Sequence, residues 1–198
     1  MKNRKATIKR KTKETNIAVS VNMDGSGVFQ GATGIGFFDH MLELLARHSL
    51  MDLSFKVAGD LKVDAHHTVE DVGIVLGQAL DKALGNRKGI RRYGWALVPM
   101  DEALAEAAID LGGRPYFAYR VKLPGAKAKV GNFDVELVQE FFQALAFNAK
   151  MNLHMSLRTG KNLHHIAEAL FKGFARAFDQ AADFDNRVKD VPSTKGTL

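Results

Sequence analysis

The chain has 198 residues, of which 46% are hydrophobic and 25% charged, an ordinary composition for a folded globular protein, and its formal net charge is +6. It has no cysteine, which excludes disulfides, a cysteine nucleophile and thiolate-bound zinc, so any metal site must use histidine, carboxylate or water ligands. The basic N-terminus lacks the apolar core of a signal peptide and no apolar run is long enough to cross a bilayer, so we expect a cytoplasmic protein without a membrane partner.

The first half of the chain alternates predicted strands and helices. Residues 5–22 mix β-branched and charged residues and end at the DG and SG steps of residues 24–27, which indicates strand, hairpin turn and strand. A glycine-rich entry and the spacing of apolar residues predict a helix over 34–49, and residues 51–59 alternate as a strand. Residues 68–84 have helical periodicity and end before a glycine.

The second half repeats this order. Residues 114–125 are strand-like and end in a Pro-Gly turn, and residues 133–150 have the pattern of an amphipathic helix. Residues 151–160 alternate as a strand, and residues 164–182 are again helical. Strands, helix, strand and histidine-led helix therefore occur twice in the same sequence order.

The registers of the two halves also agree. Residues 51–53 and 151–153 share a Met-Asp/Asn-Leu pattern at an offset of 100 residues, and His66 and His164 lie 98 residues apart. We interpret this agreement as an internal duplication, in which two similar α+β halves pack as one unit. The halves are placed at residues 1–92 and 93–198.

Each half carries the motif HHxxE, formed by His66, His67 and Glu70 and by His164, His165 and Glu168. If each pair opens a helix, the glutamate lies three and four residues further on and shares a face with both histidines. Imidazole and carboxylate donors together suit Mn, Fe, Co, Ni or Zn. Adjacent histidines diverge by about 100° around a helix, so we expect two ions, each with ligands from both copies.

One further histidine extends this ligand set. His40 lies just after the glycine-rich turn, and the duplication aligns it with Glu140. Each ion could then have four protein ligands with positions open for water or substrate, and octahedral coordination would favour Mn²⁺ over structural zinc. The alternative is that an HH pair is a surface accident whose glutamate only pairs with it, but two copies at matching places favour a metal.

Several other polar residues have both an ordinary and a functional interpretation. Glu14 lies among basic residues and could form a surface salt bridge. Lys172 could form an i,i+4 ion pair with Glu168, or direct a cation into the metal site. Loop arginines and a polar tail could be solvated or could bind phosphate. These residues are Arg91, Arg92, Arg114, Ser193, Thr194 and Lys195. Nucleic acid is the weaker partner, because no basic stretch is interleaved with aromatics.

Seven segments together resemble the imidazoleglycerol-phosphate dehydratase family: TKETNI, DGSG, FFDHML, DAHHTVEDVGI, GGRPY, LHHIAEALFKGFARAF and VPSTKG. They run in order from about residue 10 to the C-terminus. The resemblance implies two similar α+β halves, each a four-stranded sheet with helices packed on one face. It also implies a homo-oligomer of twenty-four subunits with octahedral symmetry, active sites at subunit contacts and two Mn²⁺ ions in each site.

The resemblance also assigns roles to individual residues. The ligands of one ion match His40, His67, His164 and Glu168. Those of the other match His66, Glu70 and His165, and we expect Glu140 to replace a histidine that the family often has. The substrate-phosphate pocket matches Arg92, Arg114, Lys172, Ser193 and Lys195, to which we add Thr194. Glu14 matches a substrate-contacting glutamate with an acid/base role, and we expect Glu14, Glu70 and Glu168 to be catalytic.

The implied reaction is the dehydration of D-erythro-imidazoleglycerol phosphate to imidazoleacetol phosphate in histidine biosynthesis. Coordination of both imidazole nitrogens by Mn²⁺ would favour an imidazolate and make the ring an electron sink. Glu14 would then transfer the proton on the side chain of this phosphorylated imidazole substrate. Two other classes use the same features differently. One is a non-catalytic metal-storage protein, and the other is a basic RNA-binding α+β domain.

Overall fold

The computed structural model describes residues 4–125 and 128–196. The elements of the first half are β1 (Lys5–Lys11), β2 (Thr15–Asn22), β3 (Phe29–Ala32), α1 (Gly36–Ser49), β4 (Asp52–Gly59) and α2 (His66–Leu84). Those of the second half are β5 (Tyr93–Met100), β6 (Ala103–Asp110), β7 (Tyr116–Arg120), β8 (Lys129–Val130), β9 (Phe133–Asp134), α3 (Leu137–Asn148), β10 (Asn152–Thr159) and α4 (Leu163–Ala182).

Two four-stranded sheets have the same topology. Their strand orders are β1-β2-β4-β3 and β5-β6-β10-β7. In each sheet the first two pairings are antiparallel and the last is parallel, and a helix connects the two parallel strands. The expected duplicated α+β fold is therefore confirmed. We propose that the boundary between the halves lies after residue 92, which places β5 at the start of the second half.

The helices join the two halves through one continuous hydrophobic core. Each of the helices α2 and α4 packs on the inner face of its own sheet, while α1 packs against α4 and α3 packs against α2. The inner faces of β2 and β6 are buried at every second residue, as the two-residue period of a strand requires. No helix in the described ranges is long and apolar enough to cross a membrane.

The predicted hairpin at residues 24–27 is wrong. The chain does turn there, but it leads into β3, which pairs in parallel with β4 and not with β2. The hairpin lies at residues 12–14, where β1 and β2 pair from Lys11 opposite Asn16. An Asp-Gly step indicates a tight turn but does not indicate which strands pair across it. The true hairpin tip, residues 12–14, contains neither glycine nor proline and therefore gives no turn signal.

Two other local predictions need correction. The helix expected over 133–150 begins at Leu137, because Phe133–Asp134 pairs with Lys129–Val130 as a short ribbon. Strands β5 and β6 were not predicted from the sequence. The buried positions of β6 are mostly alanine, a strong helix former, so its strand character comes from pairing between β5 and β10.

Glycines on α2 allow the close approach of α3. A Cβ added at Gly77 would lie 2.6 Å from the carbonyl oxygen of Leu145 and 2.8 Å from the Cβ of Asn148. We therefore expect Gly77→Ala to lower the free energy of unfolding by about 1–3 kcal/mol through overpacking, measured by urea denaturation. Gly36→Ala is the matched control, because a Cβ there meets nothing within 4 Å. Equal stability of the two variants would contradict this account of the α2–α3 contact.

Candidate metal and phosphate sites

Both histidine pairs lie in the first turn of a helix, as the motif predicted. Asp64 accepts a hydrogen bond from the backbone N–H of His66 at 2.8 Å, and Asn162 accepts one from that of His164 at 2.9 Å. Such side-chain acceptors satisfy the open N–H groups of a helix start. The two rings of a pair are nearly perpendicular, at 89° in the first half and 77° in the second. Adjacent histidines therefore face different directions, as expected.

Three potential ligands meet where α1 packs on α4. The Nε2 atoms of His40 and His164 each lie 3.0 Å from the same carboxylate oxygen of Glu168. One donor atom from each residue lies within 4.8 Å of the others, and this is the one such grouping found in residues 4–125 and 128–196. We call these three residues the α1–α4 cluster. Its two imidazole nitrogens and one carboxylate fit a transition metal such as Mn²⁺.

The carboxylate of Glu168 carries the charge of this cluster. Burial would raise its pKa, but hydrogen bonds from Lys172, His40 and His164 outweigh burial and lower the pKa to about 2. Glu168 is only 7% exposed and is ionised at neutral pH. Lys172 contacts the second oxygen of Glu168 and the sulfur of Met100. The side chain of Lys172 therefore lies at the cluster.

The corresponding residues of the first half are less closely grouped. The Nε2 atom of His66 lies 3.7 Å from Glu70, but Glu140 makes no hydrogen bond or ion pair with either among the described residues. Glu140 lies in the first turn of α3, which packs on α2. That Glu140 joins His66 and Glu70 as a metal ligand therefore stays a prediction.

The second histidine of each pair is oriented by a carboxylate. The Nδ1 atom of His67 lies 3.0 Å from Asp60, and that of His165 lies 2.7 Å from Glu102. These hydrogen bonds raise the pKa of both histidines. Metal-ligating histidines commonly donate one ring nitrogen to a carboxylate, which directs the other nitrogen toward the metal. Neither partner was predicted from the sequence. Asp60 lies seven residues before His67 and Glu102 lies 63 residues before His165, and no motif links either pair.

A single chain does not bring together the four ligands that the resemblance assigns to each ion. His67 lies against Asp60 and Glu14 in the first half, away from the α1–α4 cluster. His165 likewise lies beside Asp101 and Glu102 and not beside His66. Each half therefore presents one histidine whose Nε2 atom contacts only carboxylates among the described residues.

Glu14 occupies the tip of the hairpin between β1 and β2. Its carboxylate lies 3.9 Å from the Nε2 atom of His67, and its backbone N–H donates to the hydroxyl of Thr12. Arg10, four residues before Glu14, pairs with Asp71 instead. Among the described residues Glu14 therefore forms no salt bridge with a lysine or arginine, although its basic surroundings in the sequence allowed one.

A separate cavity of about 770 Å³ gathers most of the predicted phosphate-binding residues. It is lined by Arg92, Tyr93, Gly112, Arg114, Pro192, Ser193, Thr194 and Lys195. Two arginines, a lysine and the hydroxyls of Ser193 and Thr194 suit a phosphate. Lys172 does not line this cavity, since it lies at the α1–α4 cluster.

Arg92 binds the tail rather than presenting a free guanidinium. It donates to Asp110 at 2.7 and 3.1 Å and to the carbonyl oxygen of Pro192 at 2.7 Å. The charge of Arg92 is thus paired with Asp110, while Arg114 and Lys195 are exposed at the cavity. The guanidinium of Arg92 also lies over the ring of Tyr93, 4.8 Å from its centroid.

We predict that Arg92→Met makes the tail more mobile. The variant loses the hydrogen bond to the carbonyl oxygen of Pro192 and the ion pair with Asp110 that holds the guanidinium in place. Hydrogen exchange at residues 193–196 should become faster while exchange in α4 is unchanged. Arg91→Met is the control, since Arg91 pairs with Asp183 and not with the tail. Equal protection of the tail in both variants would show that Arg92 does not hold it.

Comparisons with known proteins agree on one family. A family model described as imidazoleglycerol-phosphate dehydratase matches residues 33–178. A protein of that name from Geobacter sulfurreducens is 58% identical over 195 residues, covering 98% of this chain and 99% of that protein. One from Granulibacter bethesdensis is 59% identical over 196 residues, with 98% and 99% coverage.

Solved structures of the same name share the fold. The Staphylococcus aureus imidazoleglycerol-phosphate dehydratase has a TM-score of 0.82 at 39% identity, covering 91% of this chain and 99% of that one. The Pyrococcus furiosus protein, solved in complex with (S)-C348, has a TM-score of 0.81 at 36% identity, covering 96% and 100%. The similarity therefore extends over nearly the whole chain.

Proposed function

The chain belongs to the imidazoleglycerol-phosphate dehydratase family and is therefore a hydro-lyase, and we propose that it dehydrates D-erythro-imidazoleglycerol phosphate with two Mn²⁺ ions in each active site. The product would be imidazoleacetol phosphate, in histidine biosynthesis. The α1–α4 cluster carries the proposal, because two imidazole nitrogens and a buried carboxylate converge there. Mn²⁺ bound at the substrate's ring nitrogens would withdraw charge from the ring and acidify the neighbouring C–H.

We propose that each ion takes ligands from two chains. One ion would use His40, His164 and Glu168, completed by His67 of a neighbouring subunit. The other would use His66, Glu70 and Glu140, completed by His165 of a neighbour. The support is that His67 and His165 lie away from these groups in their own chain, with Nδ1 bound to a carboxylate and Nε2 beside only Glu14 or Asp101 among the described residues.

The outer face of the second sheet supports a homo-oligomer. Trp95 is 67% exposed and Tyr93 is 59% exposed on β5, and Tyr116 on β7 lies in the same cross-strand row as Tyr93. An exposed aromatic patch of this kind commonly marks a protein interface. We propose an assembly of twenty-four subunits with octahedral symmetry, in which ligands of both ions meet at subunit contacts.

The chain's own residues would orient the substrate and move its proton. Glu14 would accept or donate the proton on the glycerol side chain, since its carboxylate lies beside His67 and has no hydrogen-bond partner among the described residues. Arg114, Ser193, Thr194 and Lys195 would hold the phosphate, with Arg92 positioning the tail. Glu70 and Glu168 would complete the catalytic carboxylates as ligands, and Lys172 would balance the charge of Glu168.

The assay that tests this proposal follows imidazoleacetol phosphate through the absorbance of its enol in alkali. The Mn²⁺-loaded protein should turn over and should lose activity after chelation. His164→Asn should lower both Mn²⁺ content and turnover, the latter by at least about 100-fold. Lys82→Gln is the control, because Lys82 is an exposed residue in the last turn of α2, outside both proposed sites. Full activity of His164→Asn would contradict the proposal.

The role proposed for Glu140 has a separate test. Glu140→Ala should reduce the Mn²⁺ bound by each chain from two ions toward one, because one ion loses a carboxylate ligand. Elemental analysis after dialysis against low Mn²⁺ measures this ratio. Glu136→Ala, one turn earlier and exposed, should retain both ions. Two ions retained by Glu140→Ala would remove Glu140 from the ligand set.

A further inference from the structure

A buried carboxylate that has no role in the mechanism above lies directly behind the hairpin that carries Glu14. Asp71 follows the proposed ligand Glu70 on α2 and is only 7% exposed. It accepts a hydrogen bond from the hydroxyl of Thr15 and forms an ion pair with Arg10. We propose that Asp71 is a positioning residue that sets Glu14 against the metal ligands of α2, an inference that rests on the proton-transfer role proposed for Glu14.

The partners of Asp71 lie on both sides of the hairpin tip. Arg10 belongs to β1 and Thr15 begins β2, so one carboxylate holds both strands where the chain reverses. Within the tip, the hydroxyl of Thr12 accepts hydrogen bonds from the N–H groups of Glu14 at 3.1 Å and Thr15 at 2.9 Å. The backbone that carries Glu14 is therefore fixed from inside the turn and from the helix behind it.

The position of Asp71 on α2 couples this anchor to the metal ligands. His67, Glu70 and Asp71 lie on one helix, and the carboxylate of Glu14 lies 3.9 Å from the Nε2 atom of His67. A buried carboxylate is stable only when it is paired and hydrogen-bonded, which Arg10 and Thr15 provide. The hairpin therefore has one favourable placement on α2, and that placement fixes where Glu14 stands relative to His67.

The second half anchors its hairpin in a different way. Glu102, at the tip between β5 and β6, accepts hydrogen bonds from the N–H groups of Lys161 at 3.1 Å and Asn162 at 2.7 Å, and it also contacts His165. The acid of that tip is thus itself the anchor. At the 98-residue offset Asp71 aligns with Ala169, so this half has no equivalent carboxylate.

This contrast explains why the first half needs a separate anchor. If Glu14 held its own hairpin as Glu102 does, its carboxylate would be occupied by N–H donors. Because Asp71 holds the hairpin from behind, the side chain of Glu14 makes no hydrogen bond among the residues that the structure describes. Asp71 therefore leaves Glu14 available to accept a proton while limiting its displacement.

A double-mutant cycle on the Mn²⁺-loaded enzyme tests the proposal. Asp71→Asn should lower kcat roughly 10- to 100-fold with little change in KM or in Mn²⁺ content, because a small displacement of a catalytic group is costly. In a Glu14→Gln background, itself expected to lose at least about 100-fold in kcat, the same substitution should change kcat by less than about 3-fold. If Asp71→Asn lowers kcat only when Glu14 is present, then Asp71 acts through Glu14.

Two further variants separate positioning from stability. Asp81→Asn removes a partner of the buried Arg87 at the far end of α2, and it should lower the melting temperature while leaving kcat unchanged. Thr15→Val keeps the shape of Thr15 but removes one of the two ties, so it should cause a smaller loss of kcat that also disappears with Glu14→Gln. This variant serves where Asp71→Asn does not fold.

The outcomes that overturn the proposal are distinct. Unchanged kcat in both Asp71→Asn and Thr15→Val, or an equal loss with and without Glu14, overturns the positioning role alone. Full turnover by Glu14→Gln would contradict the proton-transfer role of Glu14, and the positioning role would fall with it.

Discussion

The ionised carboxylate of Glu168 sets the arrangement on which the candidate metal site depends. It belongs to α4 of the second half, yet one of its partners, His40, belongs to α1 of the first. A buried carboxylate is costly unless several donors surround it. Lys172, His164 and His40 meet this requirement, and the contact from His40 also joins α1 to α4 across the two halves. The same requirement brings two imidazoles and a carboxylate together, which is the donor set that a metal ion needs.

The duplication provides a symmetric framework whose two halves have diverged in their polar residues. The sheets share one topology and both histidine pairs open a helix, but His40 is matched by Glu140. The orienting carboxylates, Asp60 and Glu102, come from different places in the two halves. Two unrelated residues that perform the same task on equivalent histidines indicate that orientation of the second histidine matters in both halves.

Much of the fold could be predicted from the sequence because its signals are local. Helical periodicity located α1, α2 and α4, and the repeated HHxxE motif with its matching register indicated the duplication. Strand β6 was not predicted because three of its four buried residues are alanine. The first hairpin was not predicted because its tip lacks glycine and proline. The anchors of the site, Glu102 and Asp71, act on residues 63 and 56 positions away, and no local pattern records such contacts.

The central proposal, that ligands of one ion come from two chains, has a direct test in mixed assemblies. His67→Asn and His164→Asn should each be inactive alone, since each removes a ligand from every site. The two variants are co-expressed in equal amounts with different tags, and the mixed assemblies should regain about a quarter of wild-type activity. With random mixing, about one subunit contact in four joins a chain with an intact His67 to a chain with an intact His164. Mixed assemblies as inactive as their parents would contradict shared sites and would require all ligands to come from one chain.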